Sequence, residues 1–170
     1  GDYKIKVTTP EGYFFTDANA GADEIDSDVI TSTGISEIFN LLSNTTSSNH
    51  DVGMYRHGSI GDQVWSDTNE DGLRQSGELG IGSVKVTATS VGLVPTITAD
   101  ATTSGDGNYR IEGLRPGVYE VTFATPTNYR ITIANQGNGS IDSDIDENGK
   151  VSSVMIMSGA VLDSIDAGYI

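Results

Sequence analysis

The chain has 170 residues, with 24 acidic side chains against 9 basic ones, no cysteine, and a net charge of −15. That balance excludes nucleic acid and anionic membrane surfaces as partners, since both are held by Lys and Arg. The missing thiols exclude a disulfide framework and a thiolate zinc site. No apolar run approaches the roughly 20 residues that span a bilayer. Twenty-one glycines and an excess of 16 Asp over 8 Glu favour short strands joined by turns in which carboxylates can hold hard cations.

The chain opens at Gly1 with neither Met nor a signal-like segment, which reads as a processed or excised piece. Gly1–Asp28 recurs 116 positions later as Gly117–Asp144, without a gap and with thirteen of 28 positions identical. After a one-residue slip, Asp51-Val52-Gly53 recurs as Asp166-Ala167-Gly168. Residues 57–170 therefore read as one complete unit. Residues 1–56 read as the C-terminal half of a preceding unit, incomplete by itself and in need of strands from elsewhere.

In the half unit, Ile35, Ile38, Phe39 and Leu42 have helical spacing, but their counterpart Val151–Met157 reads as strand, and the repeat assigns both to strand. Asp26 and Asp28 close an acidic turn that partly copies the later cluster at 142–146 and reads as its equivalent, a further cation site or a polar turn. The histidines, His50 and His57, read as exposed residues near the junction. In the complete unit, Ile60, Val64 and Trp65 mark a first strand, with Trp65 in the core rather than on a sugar-stacking surface.

Next comes Asp67-Thr-Asn69-Glu-Asp71-Gly72-Leu73-Arg-Gln75-Ser-Gly-Glu78, a full match to the twelve-residue calcium loop D-x-[DN]-x-[DN]-G-x5-E. Calcium takes six to eight oxygens. Alternate positions turn Asp67, Asn69 and Asp71 inward, and Gly72 allows the sharp turn that offers the Leu73 carbonyl. Gln75 lies where a water usually intervenes, and Glu78 can close the shell with both oxygens. Strand-like residues on either side replace the usual flanking helices.

Val84, Val86 and Ala88 then alternate with polar residues, as do Tyr119, Val121 and Phe123. Ile131 and Ile133, Val151–Met157 and 165–170 complete the strand signals. Turns fall at Gly105-Asp106-Gly107, Pro116-Gly117 and Asn148-Gly149. About seven strands per unit at this spacing predict an all-β fold, an antiparallel β-sandwich in tandem. A second acidic cluster, Asp142, Asp144 and Asp146, reads equally as another cation site or as a polar turn. Asn44-Thr-Thr46 and Asn138-Gly-Ser140 are glycosylation sequons. No nucleophile elbow, P-loop or HExxH motif occurs, so no enzyme is expected.

Gly61-Asp62-Gln63-Val64-Trp65-Ser66-Asp67-Thr68-Asn69-Glu70-Asp71-Gly72, Gly77-Glu78-Leu79-Gly80, Gly107-Asn-Tyr109 through Tyr119, and Asp166-Ala-Gly168-Tyr169 together resemble SdrD-type B domains. These are the calcium-binding repeats of serine–aspartate repeat surface adhesins, related to collagen-adhesin B-type stalk modules. The resemblance covers 58–170 directly and 1–55 through the repeat. It implies an immunoglobulin-like or prealbumin-like sandwich, several Ca²⁺ per module, and a stalk or spacer role. By carry-over, Asp67, Asn69, Asp71, Leu73 and Glu78 are the primary ligands, and Asp142 and Asp144 are secondary. Relatives with an intramolecular isopeptide bond need a buried carboxylate where this chain has Phe123 and Val7, so no such crosslink is expected.

The expected function is that of a calcium-binding structural stalk module of an extracellular, cell-surface or secreted repeat protein, partnered by adjacent repeats. Two alternatives remain: a self-assembling filament or surface-layer subunit completed by strands from identical subunits, and a ligand-binding adhesin domain.

Overall fold

Short strands set by alternating apolar residues account for the regular structure of the chain. The computed structural model describes residues 1–170, which divide into two units at Arg56 and His57. All regular elements are strands.

The first unit holds six two-residue strands. Antiparallel pairs form between β1 (Asp2–Tyr3) and β5 (Phe39–Asn40), between β2 (Phe14–Phe15) and β6 (Met54–Tyr55), and between β3 (Val29–Ile30) and β4 (Ile35–Ser36). The helical spacing over 35–42 loses to strand pairing, as the repeat predicts. Gly34 turns at φ +65° immediately before β4, and the Ile35 and Phe39 backbones face partner strands. His50 is not the exposed residue expected: its ring packs 4.0 Å from the Phe39 ring and hydrogen bonds the Ser47 hydroxyl.

The second unit holds eight strands: β7 (Gly58–Ser66), β8 (Lys85–Val91), β9 (Thr98–Thr102), β10 (Asn108–Leu114), β11 (Gly117–Phe123), β12 (Lys150–Ile156), β13 (Val161–Asp163) and β14 (Ala167–Tyr169). One sheet runs β12-β11-β8-β9; in the other β7 lies between β10 and β13, with β14 also on β7. The alternation along β8 and β11 puts Val86, Ala88, Tyr119, Val121 and Phe123 inward, against Ile60, Val64, Tyr109 and Ile111 of the second sheet. Trp65 is fully buried, and the Tyr109 and Phe123 rings meet edge to face at 5.5 Å.

Two expectations need correction. The sandwich is not wholly antiparallel, because β13 and β14 both run parallel to β7. The nine-residue β7 is long enough to take β13 beside Ser59–Gly61 and β14 beside Val64–Ser66. Between them the Gln63 N–H donates to the Asp166 carboxylate (3.0 Å), so a side chain fills the gap in the ladder. Ile131 and Ile133 do not form a strand either: only the isolated bridge Ile131–Tyr169 survives. Beyond it the backbone leaves the sheet edge and lies over the 67–78 loop, where a Cβ on Gly72 would fall 2.3 Å from the Ile133 carbonyl oxygen.

The sequence repeat is also a hydrogen-bond repeat. Val7 N–H to Gly34 O and Phe123 N–H to Gly149 O are both 2.8 Å. Thr16 to Gly53, Asn19 to Ser27 and Asp28 to Asp51 have counterparts in Thr132 to Gly168, Asn135 to Ser143 and Asp144 to Asp166. Asn19 and Asn135 share positive φ values of 51° and 58°. The side-chain bonds match as well: Gly21 and Gly137 donate to Asp26 and Asp142, while Asp51 and Asp166 donate to Asp28 and Asp144.

Candidate metal centre

The loop 67–78 begins where β7 ends. Its entrance is fixed by the Asp67 N–H to Tyr169 carbonyl bond and by the Ser66 N–H to Leu79 carbonyl bond, both 2.8 Å. Asp67, only 2% exposed, organises the turn. Its Oδ1 accepts the Glu70 and Asp71 amides, and its Oδ2 accepts the Gly72 amide (2.7 Å) and the Thr132 hydroxyl (2.5 Å). Gly72 sits at φ +77°, a conformation glycine adopts without the Cβ penalty.

The remaining loop oxygens lie on the same small ring of chain. Asp71 accepts the Leu73 amide through Oδ1, and the Asn69 and Gln75 side-chain amides through Oδ2. These bonds, the Leu73 amide first, hold its carboxyl below the ordinary carboxylate value. Glu78 reaches back across the loop, Oε1 to the Thr68 amide (2.8 Å) and Oε2 to the Gln75 amide (3.0 Å). In this hydrogen-bonded arrangement no three acidic side chains of the chain close around a common centre.

The donor set nevertheless fits a hard cation. It is all oxygen: carboxylates of Asp67, Asp71 and Glu78, the Asn69 amide and the Leu73 carbonyl. The loop is also anchored on its far side. Leu73 bridges Asp142 through the flanking bonds Arg74 N–H to Ile141 O (2.6 Å) and Ser143 N–H to Gly72 O (3.1 Å), which leave the Leu73 carbonyl outside that ladder. The loop thus contacts the end of β7, the end of β14 and the 132–143 segment at once.

The second acidic group is dispersed rather than clustered. Asp142 is buried beside Leu73, its Oδ2 accepting the Gly137 amide and its Oδ1 without a partner. Asp144 turns to the Asp166 amide, and burial pushes its carboxyl up to about 6. Asp146 is exposed and caps the following turn through the Lys150 and Asn148 amides, which lower its carboxyl value. Asp26 and Asp28 repeat the first two arrangements, including the orphaned Oδ1 on Asp26.

Sequence reading did not single out Asp166, Asp62, Tyr109 or Thr132. Asp166 is fully buried; burial first, and then the Asp62 charge, push it up to about 7. Asp62 pairs with Arg74 at 3.6 Å. The Tyr109 phenol donates to the Ile165 carbonyl (2.6 Å) and is raised well above its ordinary value by burial and by Asp166. The signals were the recurrence of Asp-x-Gly at 51–53 and 166–168 and the presence of Asp62, Tyr109 and Asp166 in the motifs that carry the family resemblance. Phe123, where crosslinked relatives need a carboxylate, is a core side chain.

Fold and loop together define an all-β, sandwich-type repeat module carrying an acidic twelve-residue loop at one end of its longest strand. The chain belongs to the SdrD B-like domain family, which matches residues 1–54 and 58–169. It is 39% identical over 128 residues to serine-aspartate repeat-containing protein D of Staphylococcus aureus strain Newman. It is 37% identical over 126 residues to serine-aspartate repeat-containing protein C of strain N315. These alignments cover 74% and 72% of the chain but only 9% and 12% of the relatives. The chain is thus homologous to staphylococcal cell-surface proteins and belongs to a non-enzymatic family.

Proposed function

We propose that this chain is a calcium-binding structural module, a stalk or spacer within an extracellular surface protein, partnered by neighbouring repeats of the same protein. The observation that carries this reading is the position of the 67–78 loop. One acidic loop is bonded to the end of β7, to Tyr169 at the end of β14 and to the 132–143 segment. Asp67, Asn69, Asp71, Glu78 and the Leu73 carbonyl are the groups that hold the ion. Bound calcium supplies positive charge that offsets the mutual repulsion of these carboxylates. Asp67 orients the turn through four donors, Thr132 fixes Asp67, and Glu78 draws the loop exit back to its entrance. Asp142 and Asp144 offer a second position, supported by the orphaned Asp142 Oδ1, and Asp26 and Asp28 offer its equivalent.

Extracellular modules work with dissociation constants of about 10⁻⁴–10⁻³ M, so modest affinity suffices. A ligand that binds only the folded form at about 1–10 times its dissociation constant adds about 0.4–1.4 kcal/mol. Calorimetry in millimolar calcium and in chelator reads this directly. Chelation is expected to lower the melting temperature of residues 57–170 by roughly 2–6 °C, and Glu78→Gln to reproduce much of that loss without chelator. A melt indifferent to chelator overturns the reading.

A further inference from the structure

We propose that residues 1–56 present a docking surface for the first half of an SdrD B-like module, a segment patterned like 57–116, joined in cis directly ahead of Gly1. The second unit serves as an internal control, and calcium plays no part. There, residues 117–170 repeat five backbone bonds of residues 1–56, and residues 57–116 are seated on them. Strand β8 covers the free edge of β11, pairing Val86, Ala88 and Val91 with Phe123, Val121 and Val118. Strand β7 covers β14 in the same way. In the first unit β1 pairs only with β5, and β6 only with β2.

The side chains report the same uncovered face. Tyr3 is 53% exposed where its counterpart Tyr119 is fully buried. Ile5 and Val7, half-buried, continue the stripe that Val121 and Phe123 bury completely. Ile25 is 82% exposed, against 37% for Ile141, whose carbonyl accepts the Arg74 amide of the loop. The counterparts of Ser27 and Asp26, Ser143 and Asp142, lie beside Gly72 and Leu73 of the loop. The open face therefore matches a segment that brings two covering strands and an acidic loop in one piece.

The chain's own 57–116 segment is committed to 117–170, and exchanging it between identical copies would leave the same number of first-unit faces open. A preceding segment has the right connection. Strand β10 ends at Leu114, and Arg115-Pro116 leads straight into Gly117, the counterpart of Gly1. One peptide bond therefore delivers the partner in register.

The test compares amide exchange at Val7, Thr16, Asn19 and Asp28 with exchange at Phe123, Thr132, Asn135 and Asp144, which make the same bonds. In the unmodified monomeric chain the first four are expected to exchange faster; equal protection overturns the proposal. In a chain carrying a second copy of 57–116 fused ahead of Gly1, the first four are expected to slow by about 100-fold or more, towards their counterparts. Unchanged exchange, with 117–170 still protected, overturns it. Protection gained only when a separate 57–116 polypeptide is added, and not in the fusion, overturns the cis connection. A fusion whose added copy carries Val64→Asp should give no protection, and slowing there too would overturn the proposed contact. Glu78→Gln in the original loop tests the calcium reading separately, since it alters only residues 57–170.

Discussion

The two copies of the repeated half differ in burial, although their backbone bonds agree closely. Val7 and Phe123 donate to equivalent carbonyls at the same distance, and Asn19 and Asn135 share the same unusual backbone conformation. Yet the inward stripe of 117–123 is fully covered and that of 1–7 is not. The local pattern of turns and hydrogen bonds is thus specified within about fifty residues. Removal of apolar surface from water, which stabilises more, is complete only in the copy that packs against residues 57–116. An intramolecular hydrogen bond contributes about 1 kcal/mol net, whereas full burial of a large apolar side chain contributes about 1.5–3 kcal/mol.

The sharpest way to break this comparison is paired truncation. Phe123→Ala removes a ring packed against Tyr109 and is expected to cost the second unit about 3–5 kcal/mol in denaturant unfolding. Val7→Ala, at the equivalent position on the open stripe, should cost under about 1 kcal/mol. Equal losses would mean that both halves are equally packed.

A smaller effect is expected in the loop. Gly72→Ala forces a side chain into φ +77° and sets its Cβ 2.3 Å from the Ile133 carbonyl oxygen. Strain of this kind costs about 1–3 kcal/mol, and the clash adds to it. Denaturant midpoints in chelator should fall accordingly, while exchange within residues 1–56 stays unchanged.

The mildest test is pH. Burial raises the folded-state carboxyl of Asp166 from 3.8 to about 7 and that of Asp144 to about 6. Between about pH 4 and 7 the folded unit holds protons that the unfolded chain has released, so metal-free stability should fall as pH rises through that window. Asp166→Asn should flatten much of this dependence in urea midpoints measured in chelator. A slope that survives the substitution assigns the effect elsewhere.

Much of this was legible in the sequence because it is local. The calcium-loop spacing identified Asp67, Gly72 and Glu78, and the structure gives all three a part in one closed turn. Alternation identified β8 and β11, and the internal repeat settled the strand character of 35–42. Strand direction is not encoded in a period of two, which is why the parallel pairing of β13 and β14 escaped notice. Ile131 and Ile133 carried a strand pattern, but the 67–78 loop took that backbone for its own support. Asp166 went unrecognised because its importance comes from lying in the break between two partners of β7, a property of tertiary burial. Asp142, Asp144 and Asp146 look like one cluster on paper, yet amides of three different segments draw their carboxylates apart.

The parallel arrangement of β7 with its two late partners also fixes how the second unit meets tension. Its chain enters at Gly58, next to the Ser59 that pairs with Val161, and leaves at Tyr169, beside Ser66, at the opposite end of the same strand. At about 3.4 Å per residue those ends lie roughly 27 Å apart. A pull on the two termini therefore slides β7 lengthwise past β13 and β14, straining their cross-links together instead of peeling them one by one.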